Sequence, residues 1–211
     1  MPSSMAASSR IEGLAFFGAF NPPTVGHLKA AFYAMEKLSL SSVLFVPSKS
    51  RYIRDEEGKD FAYSDEVRLS MLQTLGKKRP WMAVDNREIE SESQPRTYDT
   101  LKAILSSTGR RYSLLFGSDK LPELQTGWRH VPEILKEFGI VVLPRNGEDP
   151  ERMVEGDDYL RSLPDGFFFL PPLPEIQFVS STKVRQAIAS GDWTTVEKNA
   201  PEEIWPLLGK K

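Results

Sequence analysis

Short apolar runs alternate with segments of helical period along most of the chain. Leu14–Phe17, Val43–Val46, Trp81–Val84, Ser113–Phe116, Ile140–Leu143 and Phe167–Leu170 are apolar at almost every position. That is the pattern of strands covered on both faces. Between the first two, Val25, Leu28, Phe32, Met35 and Leu38 recur at helical spacing, with Lys29, Glu36 and Lys37 on the opposite side. The spacing predicts further helices over 64–75, 97–106, 131–137 and 181–190. Ser64 is the expected N-cap of the first of these, Asp65 and Glu66 suit its first turn, and Gly76 is its expected stop. Gly191 ends the last. Strands alternating with helices predict right-handed βαβ units. The expected fold is α/β: a single domain over 11–211 with a doubly wound parallel sheet and helices on both faces. Two stretches break the rhythm, the charged loop 48–63 and the segment 145–166, which has room for a short helix.

Composition narrows the chemistry. The chain has 211 residues, 40% hydrophobic and 27% charged, and a net charge of −2. No bulk electrostatic attraction to nucleic acid or an anionic membrane follows from that balance. There is no cysteine, so disulfides, thiol catalysis and cysteine-ligated metals are excluded, and two histidines make a multi-histidine metal site improbable. No apolar run approaches the ~18 residues needed to cross a bilayer. The opening MPSSMAASSR lacks a long apolar core, and residues 1–10 are expected to form a disordered lead-in to a cytoplasmic protein.

Four stretches carry candidate chemistry. In GAFNPPTVGH, a buried strand enters a turn that opens a helix. Gly18 lets a ligand approach the backbone, Pro22 and Pro23 delay the helix, Thr24 can cap it, and Gly26 leaves room. His27 then sits in the first turn, where the positive helix end favours an anion. VSSTKVRQAI repeats this physics near the other end of the chain. Ser181 and Thr182 share a helix face with Arg185, and hydroxyls, free N–H groups and a guanidinium together suit a phosphate. In LLFGSDKL, Gly117 follows a strand and Asp119 could meet a ribose hydroxyl. In TGWRH, Trp128 could stack on a planar ring. Each stretch also has a plain structural reading: a capped helix, a solvated arginine or a core tryptophan.

Taken together, these strings resemble the nicotinate/nicotinamide mononucleotide adenylyltransferase family. Its opening pattern G-x-F-(N/D)-P-x-(H/T)-x-x-H is similar to Gly18–His27, and its closing pattern (I/V)-S-S-T-x-(I/V)-R is similar to Val179–Arg185. RTYDTL, GSDKL, the tryptophan loop and GIVVLPRNG resemble the segments between, in order. Two departures stand out. Thr24 replaces the histidine of many bacterial members, and RTYDTL lacks the tyrosine usual before its threonine.

The resemblance implies a Rossmann-like fold of nucleotidyltransferase type, and an enzyme that joins ATP to a pyridine mononucleotide with release of pyrophosphate. It implies catalytic roles for His27, Thr24 and Arg185. It implies an ATP site of Gly18, Ala19, Phe20, Gly26, His27, Gly117, Ser181, Thr182 and Arg185. It further implies mononucleotide contacts from Thr97, Asp119 and Trp128, with Arg145, or one of Lys49, Arg51 and Arg54, on the mononucleotide phosphate. Mg²⁺ would be held mainly through the ATP phosphates, with no protein cage. Phosphopantetheine adenylyltransferases share the T-x-G-H and S-S-T strings, and a non-catalytic nucleotide-binding or chaperone-like module could keep them. Both remain alternatives. The choice between nicotinate and nicotinamide, and homo-oligomerisation, stay open.

Overall fold

The computed structural model describes residues 11–51, 63–173 and 179–210. The expected lead-in over 1–10 and the candidate Arg54 lie outside the described residues.

All six expected strands form: β1 (Leu14–Gly18), β2 (Val43–Pro47), β3 (Met82–Val84), β4 (Ser113–Gly117), β5 (Ile140–Leu143) and β6 (Phe167–Phe169). They make one sheet of order β3-β2-β1-β4-β5-β6, with every adjacent pair parallel. Successive residues of β1, β4 and β5 feed opposite cores. Leu14, Leu115, Val141 and Leu143 join one apolar cluster, while Ala15, Leu114, Phe116, Ile140 and Val142 join the other. This two-sided burial is what the unbroken apolar runs require.

Helices α1 (Val25–Lys37) and α2 (Asp65–Lys77) cover the first face. So do α8 (Ser181–Ser190) and α9 (Trp193–Asn199). The other face is covered by α4 (Thr97–Thr108), α5 (Val131–Glu137) and α7 (Asp158–Ser162). The doubly wound α/β sheet expected from the alternation is therefore the architecture found.

Local differences have local causes. Helix α2 runs through Gly76 to Lys77, and its C-cap, Lys78, is right-handed. Gly76 thus supplies no left-handed stop; a Cβ there would lie 3.3 Å from the Met82 carbonyl oxygen. Segment 145–166 holds two short helices, α6 (Pro150–Gly156) and α7, each capped by an aspartate, Asp149 and Asp157. Helix α3 (Arg87–Glu90) is a single turn, too short for periodicity to reveal. Ser180, one residue before the expected hydroxyls, is the N-cap of α8.

Candidate active site

Strands β1 and β4 are neighbours although far apart in sequence, so the chain winds outward from this pair in both directions. Their carboxyl ends, Gly18 and Gly117, open the crevice where α/β sheets of this kind take ligands. A cavity of about 390 Å³ lies there, lined among others by Gly18, His27, Gly117, Asp119, Arg145 and Arg185. The strand–turn–helix stretches read from the sequence converge on it from both ends of the chain.

The β1–α1 loop is built tightly. Asn21–Pro22 is a cis peptide, and Phe20 is 1% exposed with φ of +43°. A buried aromatic residue in left-handed space is held by its surroundings rather than by its own preference. Here Phe16 and Phe45 pack on its ring at centroid distances of 5.5 and 5.4 Å. Thr24 caps α1 through a reciprocal box: its hydroxyl accepts from the His27 N–H, and its own N–H donates to His27 Nδ1 at 3.0 Å. Because Nδ1 accepts that bond, the neutral ring carries its proton on Nε2, at the opposite edge. Thr24 therefore sets the tautomer of His27 as well as its position.

Helix α8 closes the cavity and grips the same loop. Ser181 Oγ donates to the Pro22 carbonyl at 2.8 Å, and Arg185 donates to the Asn21 carbonyl at 2.8 Å and to Thr182 Oγ1 at 3.3 Å. A Cβ on Gly26 would stand 3.0 Å from Val179 Cβ, so glycine is what lets the two loops meet. Neither α1 nor α8 has an acidic residue in its first turn, whereas α2 has Asp65 and Glu66. Two uncompensated helix N-termini facing one cavity make an anion site within an acidic protein.

Asp119 and Arg145, read from the family pattern as mononucleotide contacts, also line this first cavity, 3.4 Å apart. Ser118 Oγ accepts from the Arg145 N–H at 2.8 Å and donates to the Glu148 carboxylate, which fixes the loop that carries Arg145. A Cβ on Gly117 would fall 2.3 Å from Arg145 Cδ and 2.4 Å from Asp119 Oδ1. The pair closes over the glycine.

A second cavity, of about 550 Å³, adjoins the first through Phe17, Gly18, Leu115, Phe116 and Lys120. It holds Thr97, at the first turn of α4, and Trp128, whose ring meets Phe116 edge-on at 5.8 Å. Lys49 lines neither cavity in the same way: its Nζ donates to the Ile89 and Ser91 carbonyls at 2.6 and 2.5 Å. It ties the end of β2 to α3. Arg51 is exposed.

Two residues of this region were not legible as functional in the sequence. Arg68 of α2 is fully buried, and it donates to the Ala19, Ser48 and Tyr63 carbonyls and to Asp65 Oδ1. It stands in line with Met71, Leu72 and Leu75, and an arginine on an apolar stripe was the available signal. Glu88 lines the second cavity at 1% exposure and accepts from Thr100 Oγ1 at 2.8 Å and Gln94 Nε2 at 2.5 Å. Burial pushes its carboxyl up from 4.5 to about 7, against the pull of those two donors and with a small push from Asp85.

The sign of that shift predicts a pH effect on stability. Between pH 4.5 and 7 the folded chain keeps a proton that the unfolded chain gives up. The contribution is fully present below the unfolded value and is lost as pH rises to about 7, by about 3 kcal/mol. Urea unfolding at pH 5 and pH 7.5 should show wild type losing stability relative to Glu88→Gln by that order. Parallel pH profiles for the two proteins would remove Glu88 as the source.

The cytidylyltransferase-like family model matches residues 15–187, which include both helix starts and both cavities. The chain belongs to the cytidylyltransferase-like family. Among its relatives, the probable nicotinate-nucleotide adenylyltransferase of Carboxydothermus hydrogenoformans is 31% identical over 82% of this chain and 84% of its own. That of Clostridium acetobutylicum is 30% identical over 92% of this chain and 94% of its own. In fold, the chain is similar to the Plasmodium falciparum nicotinic acid mononucleotide adenylyltransferase complexed with NaAD, with TM-score 0.70 and 16% identity over 93% and 95% of the two chains. The family resemblance drawn from the motifs is borne out.

Proposed function

We propose that this chain transfers the adenylyl group of ATP to nicotinate mononucleotide, and more slowly to nicotinamide mononucleotide, giving an NAD-type dinucleotide and pyrophosphate. The observation that carries the reading is the pair of adjoining cavities. One is framed by two helix N-termini with His27 and Arg185, and the other contains Trp128. The names of the relatives support nicotinate mononucleotide as the acceptor. For the acid over the amide, the argument is local charge: Arg96, Lys120 and Arg129 line the second cavity against Glu88 and Glu123.

The mononucleotide's 5′-phosphate is already an anion at neutral pH, so its oxygen attacks the α-phosphorus of ATP without a general base. One P–O bond forms as the bond from the α-phosphorus to the bridging oxygen breaks, and its electron pair leaves with pyrophosphate. The protein's contribution is position and fixed charge. His27 Nε2–H donates to phosphate oxygens as charge gathers on the leaving group. Arg185, Ser181, Thr182 and the N–H groups of α8 hold the terminal phosphates. Gly18 lets the nucleotide lie against the backbone, Gly117 leaves room for the Asp119–Arg145 pair, Asp119 takes a ribose hydroxyl, and Trp128 stacks on the pyridine ring. Among the described residues no three carboxylate or histidine side chains gather as metal ligands. Mg²⁺ would enter with ATP, held by its phosphates and water, and would neutralise phosphate charge there.

Pyrophosphate release should be measured with ATP, Mg²⁺ and, separately, nicotinate mononucleotide, nicotinamide mononucleotide and phosphopantetheine. The expected result is turnover with both pyridine substrates, with kcat/KM about tenfold higher for nicotinate, the yield of one further charge contact of ~1.4 kcal/mol. Turnover with phosphopantetheine alone would replace this reading by the other adenylyltransferase. ATP binding without release would leave a nucleotide-binding module.

A further inference from the structure

Helix α4 begins at Thr97, which lines the second cavity, and two anchors bracket that residue. On the far side, Thr100 Oγ1 donates to Glu88 Oε1 at 2.8 Å. On the near side, Gln94 Nε2 donates to Glu88 Oε2 at 2.5 Å, while Gln94 Oε1 accepts the Lys49 N–H at 2.8 Å. One buried carboxylate thus grips both the first turn of α4 and the segment leading into it. Through Gln94 it also ties both to the end of β2. Lys49 completes the frame from its other end, with Nζ on the carbonyls of Ile89 and Ser91.

A buried carboxylate is costly to keep, and a plain core position would be filled by an apolar side chain. Placed at a cavity wall, with each oxygen satisfied by a side chain flanking Thr97, the carboxylate fixes the geometry of that wall. We propose that the Glu88–Gln94 pair is the positioning device of the mononucleotide cavity, setting the 94–97 segment so that Thr97 and the free N–H groups of the α4 start face the pyridine substituent. This rests on the assignment of the second cavity to the mononucleotide. Among the described residues, the side-chain hydrogen bonds of the pair go to Thr100, Lys49 and Pro95 and to none of the residues assigned to ATP, so its influence should fall on one substrate only.

A charge exchange tests the pair. At about pH 8, where Glu88 is ionised, Gln94→Glu sets two carboxylates against each other. Glu88→Gln with Gln94→Glu keeps the bonds to Thr100, between the pair and to the Lys49 N–H, and gives up only the 3.3 Å bond from Gln94 Nε2 to the Pro95 carbonyl. In the double variant, Gln at 88 accepts from Thr100 and donates to Glu at 94, whose second oxygen accepts the Lys49 N–H. Wild-type turnover with nicotinate mononucleotide comes first, because its absence would overturn the cavity assignment and not the pairing. Given that turnover, Gln94→Glu should raise KM for the mononucleotide about tenfold, the cost of ~1.4 kcal/mol of lost fit, and leave KM for ATP within about twofold. The double variant should return KM for the mononucleotide to within about threefold of wild type. Binding of ATP measured by calorimetry serves as the check on folding. An unchanged mononucleotide KM in Gln94→Glu, an equal rise for both substrates, or a double variant no better than the single would each overturn the proposal.

Discussion

His27→Ala should lower kcat about 10²-fold or more, with kcat/KM for ATP falling by a similar factor. The reason is the tautomer that Thr24 imposes. Nδ1 is committed to the Thr24 N–H at 3.0 Å, so the donor edge of the ring is Nε2. Phe16 and Phe20 flank the ring at centroid distances of 5.9 and 5.2 Å and hold its plane. A donor fixed in this way needs no reorganisation as charge builds on the departing pyrophosphate, and loss of one such donor costs about 10²–10³ in rate. An interaction made mainly in the transition state lowers kcat and kcat/KM together. Steady-state pyrophosphate release at saturating substrates measures both. A variant within a few-fold of wild type would remove His27 from the chemistry and leave it as half of a capping box.

Arg68→Met should destabilise the fold by about 3–5 kcal/mol, and Arg68→Lys should recover little of that. Removing the guanidinium strands acceptors that Arg68 satisfies, the carbonyls of Ala19 and Ser48 among them, in a region where water does not reach its side chain. Breaking a buried charged network by deleting one partner costs in this range. A lysine offers one ammonium where a planar fork serves acceptors from several directions. Ala19 belongs to the β1–α1 loop, which lines the first cavity, and Ser48 follows β2, so the same substitution should loosen that wall. Calorimetric unfolding should show Tm lower by about 10 °C, since each kcal/mol moves a domain of this size by roughly 2–4 °C. A loss under about 1 kcal/mol would mean that the loop holds without the arginine.

The parts of the site that were readable lay within contiguous stretches. Gly18–His27 and Val179–Arg185 each pack a turn, a cap and a charged side chain into about ten residues, so local rules and motif order both apply. The strands were readable for a similar reason. Burial on two faces forces uninterrupted apolar runs, and the structure keeps all six. The single-turn helix α3 was not readable, because four residues carry no period. Gly76 misled because a glycine near a helix end usually takes the left-handed cap, and here Lys78 ends the helix in ordinary right-handed geometry.

By itself, then, the sequence determined the α/β alternation, the two helix starts that line the first cavity and the family. Tertiary structure alone decided which side chains share a cavity. It brought Ser181 and Arg185 onto the carbonyls of Pro22 and Asn21, across 159 and 164 residues of chain. It set Asp119 and Arg145 in the same cavity as His27, buried Arg68 under the loop it supports, and set Glu88 in the wall of the second cavity. The physical reason is range. Periodicity, capping and turn chemistry act over a few residues, whereas cavities and buried charge networks depend on the order in which strands enter the sheet.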